Sequence, residues 1–402
     1  MQKRVFTYHY AILVLIAIGL IFSACTEPFS PELLPEAESI LVVDATLTNE
    51  IKHHEVLLSR SSQEQGKLQI EPNATVRITD DTQQTFTFSE TEPGTYISDV
   101  AFGATANGRY RLQITTSDGK AYTSNAEPLP PIGQIDTIST ERTLTTTGSE
   151  GVSITLDSFD PTGSSRFYRY EYEETYKIIA PKWGPDQLVV LSEENQAVGI
   201  INRDPEKEER TCYATDNSIS LILTKTSGAG DDRVSDFEVR FLNRNNFIIS
   251  HRYSILVKQF ILSQQAYTFY EKLKDFSGSE SLFSQSQPGF INGNIFPDDD
   301  SGERVVGIFE VASVSEKRAF FNYSDFFPDE ELPPFIDECR PNTFQVGGNP
   351  SVFEFVRSNR VSYTNSITDP NTGSLQAYIV VPRVCGDCTV IGNSEVPDFW
   401  EE

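Results

Sequence analysis

Short alternating runs recur from Ile40 to about Glu127. Tyr110, Leu112 and Ile114 alternate with Arg111, Gln113 and Thr115, which puts the apolar side chains on one face of a strand. Asp118-Gly119 turns the chain and Ala121 to Ser124 returns, the pattern of a hairpin. Val76 and Ile78 fit another strand, ended by Asp80-Asp81. Phe86 and Phe88 fit a third, followed by the turn Glu92-Pro93-Gly94 before Tyr96. Six or seven such strands predict an immunoglobulin-like β-sandwich over 40–127. It lacks the Cys–Trp–Cys signature, so its topology stays open.

Pro128-Leu129-Pro130-Pro131 marks a linker over 128–131, because consecutive prolines stiffen the chain and donate no ladder bonds. A larger β-rich domain is expected over 132–402. Tyr168, Tyr170 and Tyr172 alternate with charged residues; the stripe suits a sugar platform or the buried face of a strand, and the buried face is the commoner use. One packed helix is expected at about 263–277. Ser263 caps it, Ala266, Phe269, Tyr270, Leu273 and Phe276 form its apolar stripe, and Gly278 ends it. Val305 to Val314 and Arg318 to Phe321 read as two further strands.

The N-terminus follows a different pattern. Lys3 and Arg4 precede the uncharged apolar run Ala11 to Ala24. As a helix that run rises about 21 Å, short of a hydrocarbon core of ~30 Å. A basic start, a short apolar run and small residues before a cut describe a signal peptide, here 1–24. Phe22-Ser23-Ala24-Cys25 resembles a bacterial lipobox, with Phe22 in place of the usual aliphatic residue. The resemblance implies lipidation at Cys25 and cleavage before it. Residues 25–39 hold three prolines and several acids and read as a tether. In Bacteroidota lipoproteins such acids favour export to the outer face, and Glu27 is one of them.

Charge narrows the partners. The chain carries −26, and −28 once Lys3 and Arg4 leave with the signal. That surface repels phosphate backbones and excludes nucleic acid as a partner. Four cysteines follow Cys25: Cys212, Cys339, Cys385 and Cys388. In an exported chain an even count favours structural disulfides over a redox or zinc role for Cys385-Gly-Asp-Cys388. The pairing is not readable from the sequence.

Candidate chemistry is sparse. His53-His54 reads as a solvated turn, since neighbours on a strand point to opposite faces and make a poor metal pair. His251 is expected to be structural. Asp298 to Glu303 lacks the spacing of a calcium loop and reads as an acidic hairpin turn. Asp136-Thr137-Ile138 matches a three-residue O-glycosylation pattern of Bacteroidota. No H-E-x-x-H, G-x-S-x-G or phosphate-cradling loop is present. No catalytic residue, metal or cofactor is assigned. Trp183, within Pro181-Lys182-Trp183-Gly184-Pro185, is the one candidate ligand contact, for an oligosaccharide or peptide.

Several blocks carry a family likeness: "SILVVDATLTNE" (39–50), "RYSILVKQFILSQQAYTFYEKLKDFSGSESLF" (252–283), "QPGFINGNIF" (287–296), "VVGIFEVASVSEKRAFF" (305–321) and "CGDCTVIGNSEVPDFW" (385–400). Together they resemble Bacteroidota lipoproteins with the domain of unknown function 4249. Tyr270 stands where that family often has tryptophan. The resemblance implies an outer-membrane lipoprotein encoded beside TonB-dependent receptors, and it carries no catalytic residues. The expected function is therefore a lipid-anchored, non-enzymatic accessory to such a receptor in nutrient capture, facing the periplasm or the cell surface. The alternatives are a surface hydrolase acting on glycans or peptides and a structural envelope protein.

Overall fold

Alternation of apolar and polar side chains is what builds the first sheet, because each strand buries one face and wets the other. The computed structural model of the protein describes residues 39–61, 68–160, 162–226, 232–278, 291–299 and 302–402. The signal peptide, Cys25 and the tether up to residue 38 lie outside the described residues. The protein is mainly β, with a few short helices.

The strand Leu41–Thr48 buries Leu41, Val43, Ala45 and Leu47. It pairs antiparallel with Glu55–Ser61, and the path continues through Thr95–Ser98, Thr85–Glu92, Thr75–Asp80, Arg109–Thr115 and Ala121–Ser124. The turns are those read from the sequence: Gly94 and Gly119 both have positive φ, at 78° and 86°. Alternate residues of these strands meet in one core that includes Val76, Ile78, Tyr96, Leu112, Ile114 and Tyr122. Each such side chain contributes about 1.5–3 kcal/mol when fully buried.

The ends of this path are supplied from far along the chain. Ile295–Pro297 pairs with Ala121–Ser124, and Leu41–Thr48 pairs parallel with Val305 to Ala312. The sequence reading placed both pieces in the part after residue 131. Pro128-Pro131 is no free linker either: Leu129 packs in the first core and Pro128 sits opposite Arg109.

The two strands expected between residues 305 and 321 form a single strand, Val305–Asn322. Its first half belongs to the first sandwich, which is a single continuous sheet folded over its own core. Its second half, Ser313 to Asn322, pairs antiparallel with Arg252–Ile261. Ser315, Glu316 and Lys317 look like a break in the sequence because they are polar, but their backbone stays paired with Gln259, Lys258 and Val257. The helix Gln264–Gly278 lies against this strand. Ser263 Oγ accepts the Ala266 N–H at 3.1 Å. Ala266, Tyr267, Phe269 and the half-buried Tyr270 pack on Ile308, Ala312 and Val314. Leu273, expected in the stripe, is 39% exposed, while Phe276 beyond it is half-buried.

The second sandwich sets the sheet Gln134–Leu144, Glu150–Phe159 and Arg233–Asn243 against Thr211–Asn217, Phe167–Ile179, Arg252–Ile261 and the end of the long strand. Tyr168 and Tyr170 lie in its core, so the tyrosine stripe is a buried face. A smaller unit follows, in which Asn342–Gln345, Leu375–Pro382 and Val361–Thr368 pack with the helix Val352–Arg357 and the hairpin Asp186–Ser192/Ala197–Asn202. Among the described residues no helix is long and apolar enough to cross a membrane.

Candidate functional site

The four cysteines pair as Cys212–Cys388 and Cys339–Cys385. The first bridge spans 176 residues and the second 46, so each constrains the unfolded chain by on the order of 4–5 kcal/mol in the entropic view. The two cysteines of the C-x-x-C serve different bridges, which is a structural use. Asp337 lies beside Cys339 and Cys385, but with both sulfurs in a disulfide the trio is not a ligand set.

Beside these bridges the end of the second sandwich is hollowed into two adjoining cavities of about 210 and 380 Å³. Both are lined by Lys177 and Ile179 at the end of Phe167–Ile179, by Ser250 and His251, and by Leu332. The smaller cavity adds Pro181, Phe247, Pro333 and Phe335 and is largely apolar. The larger adds Arg252, Phe327, Asp329, Glu330 and Glu402 at a polar mouth.

Each wall has a local cause. Asn246 accepts the Ile248 N–H and starts the one-turn 3₁₀ helix Phe247–Ile249, which delivers Ser250 and His251 to the rim. The His251 carbonyl accepts the Tyr323 N–H at 3.1 Å, which ties the rim to the short helix Tyr323–Phe326. Arg142 and Arg244 clamp Glu330, and their guanidiniums lie 4.6 and 5.4 Å from the Phe327 ring centroid. Phe335 meets Phe247 edge-on and also packs on the Cys339–Cys385 bridge, so a disulfide holds the apolar wall in place.

Burial lowers the pKa of His251, and the neighbouring Lys177 charge lowers it further, so the imidazole is neutral at pH 7. Among the described residues its ring makes no hydrogen bond. Lys177 Nζ holds both carboxylate oxygens of Glu402, at 2.8 and 2.9 Å. That hydrogen bond keeps the Glu402 carboxyl below its usual range.

The family model described as Domain of unknown function (DUF4249) matches residues 26–318. The chain belongs to that family. No curated protein matches it. The matched span takes in the first sandwich, the packed helix and, at the groove, Lys177, Ile179, Phe247 and His251. Leu332, Phe335, Glu402 and three of the four bridged cysteines lie beyond it.

The structure reassigns two histidines. His54, expected in a solvated turn, is 2% exposed; it stacks edge-on against Phe102 and its Nε2 lies 2.8 Å from the Phe102 carbonyl oxygen. His53 points the other way and is exposed. His251, expected to be structural, faces a cavity. Trp183 is 37% exposed on a loop that starts at the groove's Pro181; it stands off the lining, with the Arg210 guanidinium 5.9 Å from its ring centroid. Of the acidic run, residues 300 and 301 lie outside the described residues, while Glu303 accepts from Lys120 and Tyr122. Another concavity, of about 600 Å³ on the first sandwich, is lined by Arg77, Arg109 and Arg111 but also by Asp80 and Asp81, and its walls are polar. No periodic signal could have announced the groove, since its residues come from four stretches more than fifty residues apart in the chain, 177–181, 247–252, 322–335 and Glu402.

Proposed function

We propose that the protein is a lipid-anchored envelope protein of Bacteroidota, fastened through Cys25 at the outer membrane, that holds a ligand on behalf of a TonB-dependent receptor. The observation that carries the reading is the pairing of all four cysteines after Cys25 into two disulfides. Such bridges persist outside the reducing cytoplasm, where a lipobox would deliver the chain. Residues 26–40 separate Cys25 from the first strand at Leu41, enough chain to hold the body off a lipid surface.

The groove supports binding over chemistry as its use. It offers apolar walls, a neutral imidazole and two cations, Lys177 and Arg252, in a fixed setting, which is how a small-molecule site is composed. The acidic body is kept off anionic headgroups, so attachment falls to the lipid chains, and more than one chain makes it durable.

Affinity purification from native membranes in mild detergent tests this reading. The wild-type chain should bring down an outer-membrane barrel and carry lipid on Cys25 by mass spectrometry. A Cys25→Ala chain should appear in the soluble fraction and lose the barrel. Recovery of an unmodified Cys25 thiol on an exported wild-type chain would refute it.

A further inference from the structure

The pair Lys177–Glu402 at the mouth of the groove is the feature that points to a ligand class. A carboxylate already sits on the one ammonium of the lining, gripped through both oxygens. Its side chain is 64% exposed, and besides Lys177 it accepts only a long hydrogen bond from the Tyr213 hydroxyl, at 3.4 Å, and a contact from Trp400, so it can be displaced. Directly inward lie apolar surfaces that water covers poorly: Ile179, Phe247, Leu332 and Phe335, with Leu332 54% exposed. A group with an apolar tail and a carboxylate would satisfy both features at once.

We propose that the groove binds an amphiphilic carboxylate, its tail in the cavity between Phe247, Leu332 and Phe335 and its anionic head on Lys177 in place of Glu402. The proposal rests on the reading that the protein holds a ligand, and it names that ligand's chemistry. Exchange, and not addition, follows from the charges. Asp329 also faces the mouth, Glu330 is already held by Arg142 and Arg244, and the Arg252 guanidinium is engaged by the Glu401 carbonyl and Asn322, so a further anion beside Glu402 would find no unengaged cation and two carboxylates close by. Once Glu402 leaves, the incoming head takes over its two hydrogen bonds. The His251 ring, which makes no hydrogen bond among the described residues, lies on the same rim and can donate one to the ligand. Together the two cavities have the size of an ordinary small-molecule site, ~300–1,000 Å³. Glu402 thus acts as an internal competitor that sets the affinity.

The carboxylate has two sources with the same chemistry, a short acyl chain and the C-terminal end of a peptide. The probes are hexanoate for the first and N-acetyl-leucine for the second; hexanol and N-acetyl-leucinamide are their uncharged controls. Binding is measured by calorimetry on the full chain and its variants, each first checked for an unchanged melting transition. At least one carboxylate should bind saturably, and its uncharged control should bind far more weakly. Glu402→Gln should tighten binding by about threefold, the worth of an exposed ion pair. Leu332→Glu and Lys177→Met should each abolish it. Because the chain has two tryptophans, a Trp183→Phe background leaves Trp400, two residues from Glu402, to report displacement by a change in emission. Equal binding of carboxylate and control overturns the proposal. So does Glu402→Gln binding that is no tighter than wild type, or the absence of saturable binding to that variant. Either result, with receptor capture from membranes intact, removes the ligand class and leaves the anchored role standing.

Discussion

Asn294 closes the first sandwich on Phe309. Its side-chain amide donates to the Phe309 carbonyl at 2.8 Å and its carbonyl oxygen accepts the Phe309 N–H at 2.8 Å. The same amide also donates to Glu127 at 3.1 Å. Asn294 is 1% exposed and acts as a one-residue stand-in for a strand at the seam where the curled sheet meets itself. Replacing it with alanine strands a buried N–H and a buried carbonyl, each costing ~1–3 kcal/mol. Asn294→Ala should therefore lose about 2–5 kcal/mol in urea denaturation. A loss within that of a surface substitution would show that the seam closes without it.

Gly307 lies in the same long strand, at φ 131°, a conformation that side chains resist. A Cβ there would sit 1.9 Å from the Val43 carbonyl oxygen, which is backbone and cannot swing away. A Cβ at Gly293 would sit 1.6 Å from the Gly307 carbonyl oxygen, so that position is closed to side chains as well. Gly307→Ala should disrupt the parallel pairing of Leu41–Thr48 with the long strand. Hydrogen exchange should then show loss of protection at Val43 and Ala45 before the second sandwich is affected.

The local pattern of this fold is legible in the sequence, and its long-range pairing is not. Tyr110, Leu112 and Ile114, or Ala266 and Phe269, reveal their element because periodicity is a property of a few neighbouring residues. That Val305–Asn322 serves two sandwiches depends on which distant edges it meets, 41–48 on one side and 252–261 on the other. Its middle, Ser315 to Lys317, is polar because that stretch is only partly covered, and sequence reading takes it for a gap. His54 shows the same limit: a buried histidine looks like a surface one until Phe102 is brought over it. The groove was invisible for a related reason, since Lys177, His251 and Leu332 share no pattern.

Arg169 and Glu310 form a buried ion pair across the junction of the two sandwiches, 2.8 Å apart with side chains 8% and 0% exposed. The guanidinium also stacks 4.1 Å from the Phe260 ring centroid, pairs with Glu171, and lies 5.1 Å from the ring of Tyr270 on the helix. Among the described residues one oxygen of Glu310 and the Nε of Arg169 have no hydrogen-bond partner, so the pair is not fully satisfied there. Arg169→Met alone leaves Glu310 in an apolar setting without its cation and should cost about 3–5 kcal/mol. Arg169→Met with Glu310→Leu removes both charges and should recover most of that loss. Chemical denaturation of the two variants decides it. A double variant no more stable than the single one would mean that the charges hold the junction by more than mutual compensation.

His54 makes the stability of the first sandwich depend on pH in a window where few other groups titrate. Burial pushes its pKa below the ordinary histidine value, and the bond to the Phe102 carbonyl only partly offsets this. The folded state therefore holds the ring neutral where the unfolded state, at about 6.5, already takes a proton. The contribution is fully present above pH ~6.5 and is lost as pH falls through that value toward the depressed folded pKa. His251 is shifted the same way by burial and by Lys177, and adds to the same slope. Carboxylates titrate mostly below pH ~5, so the interval between pH 5 and 6.5 isolates the two rings. Urea midpoints should fall across that interval in the wild type. A His54→Asn variant, less stable at pH 8, should show a flatter fall, and His54→Asn with His251→Asn should be nearly level. A slope unchanged by both substitutions would place the titrating group elsewhere.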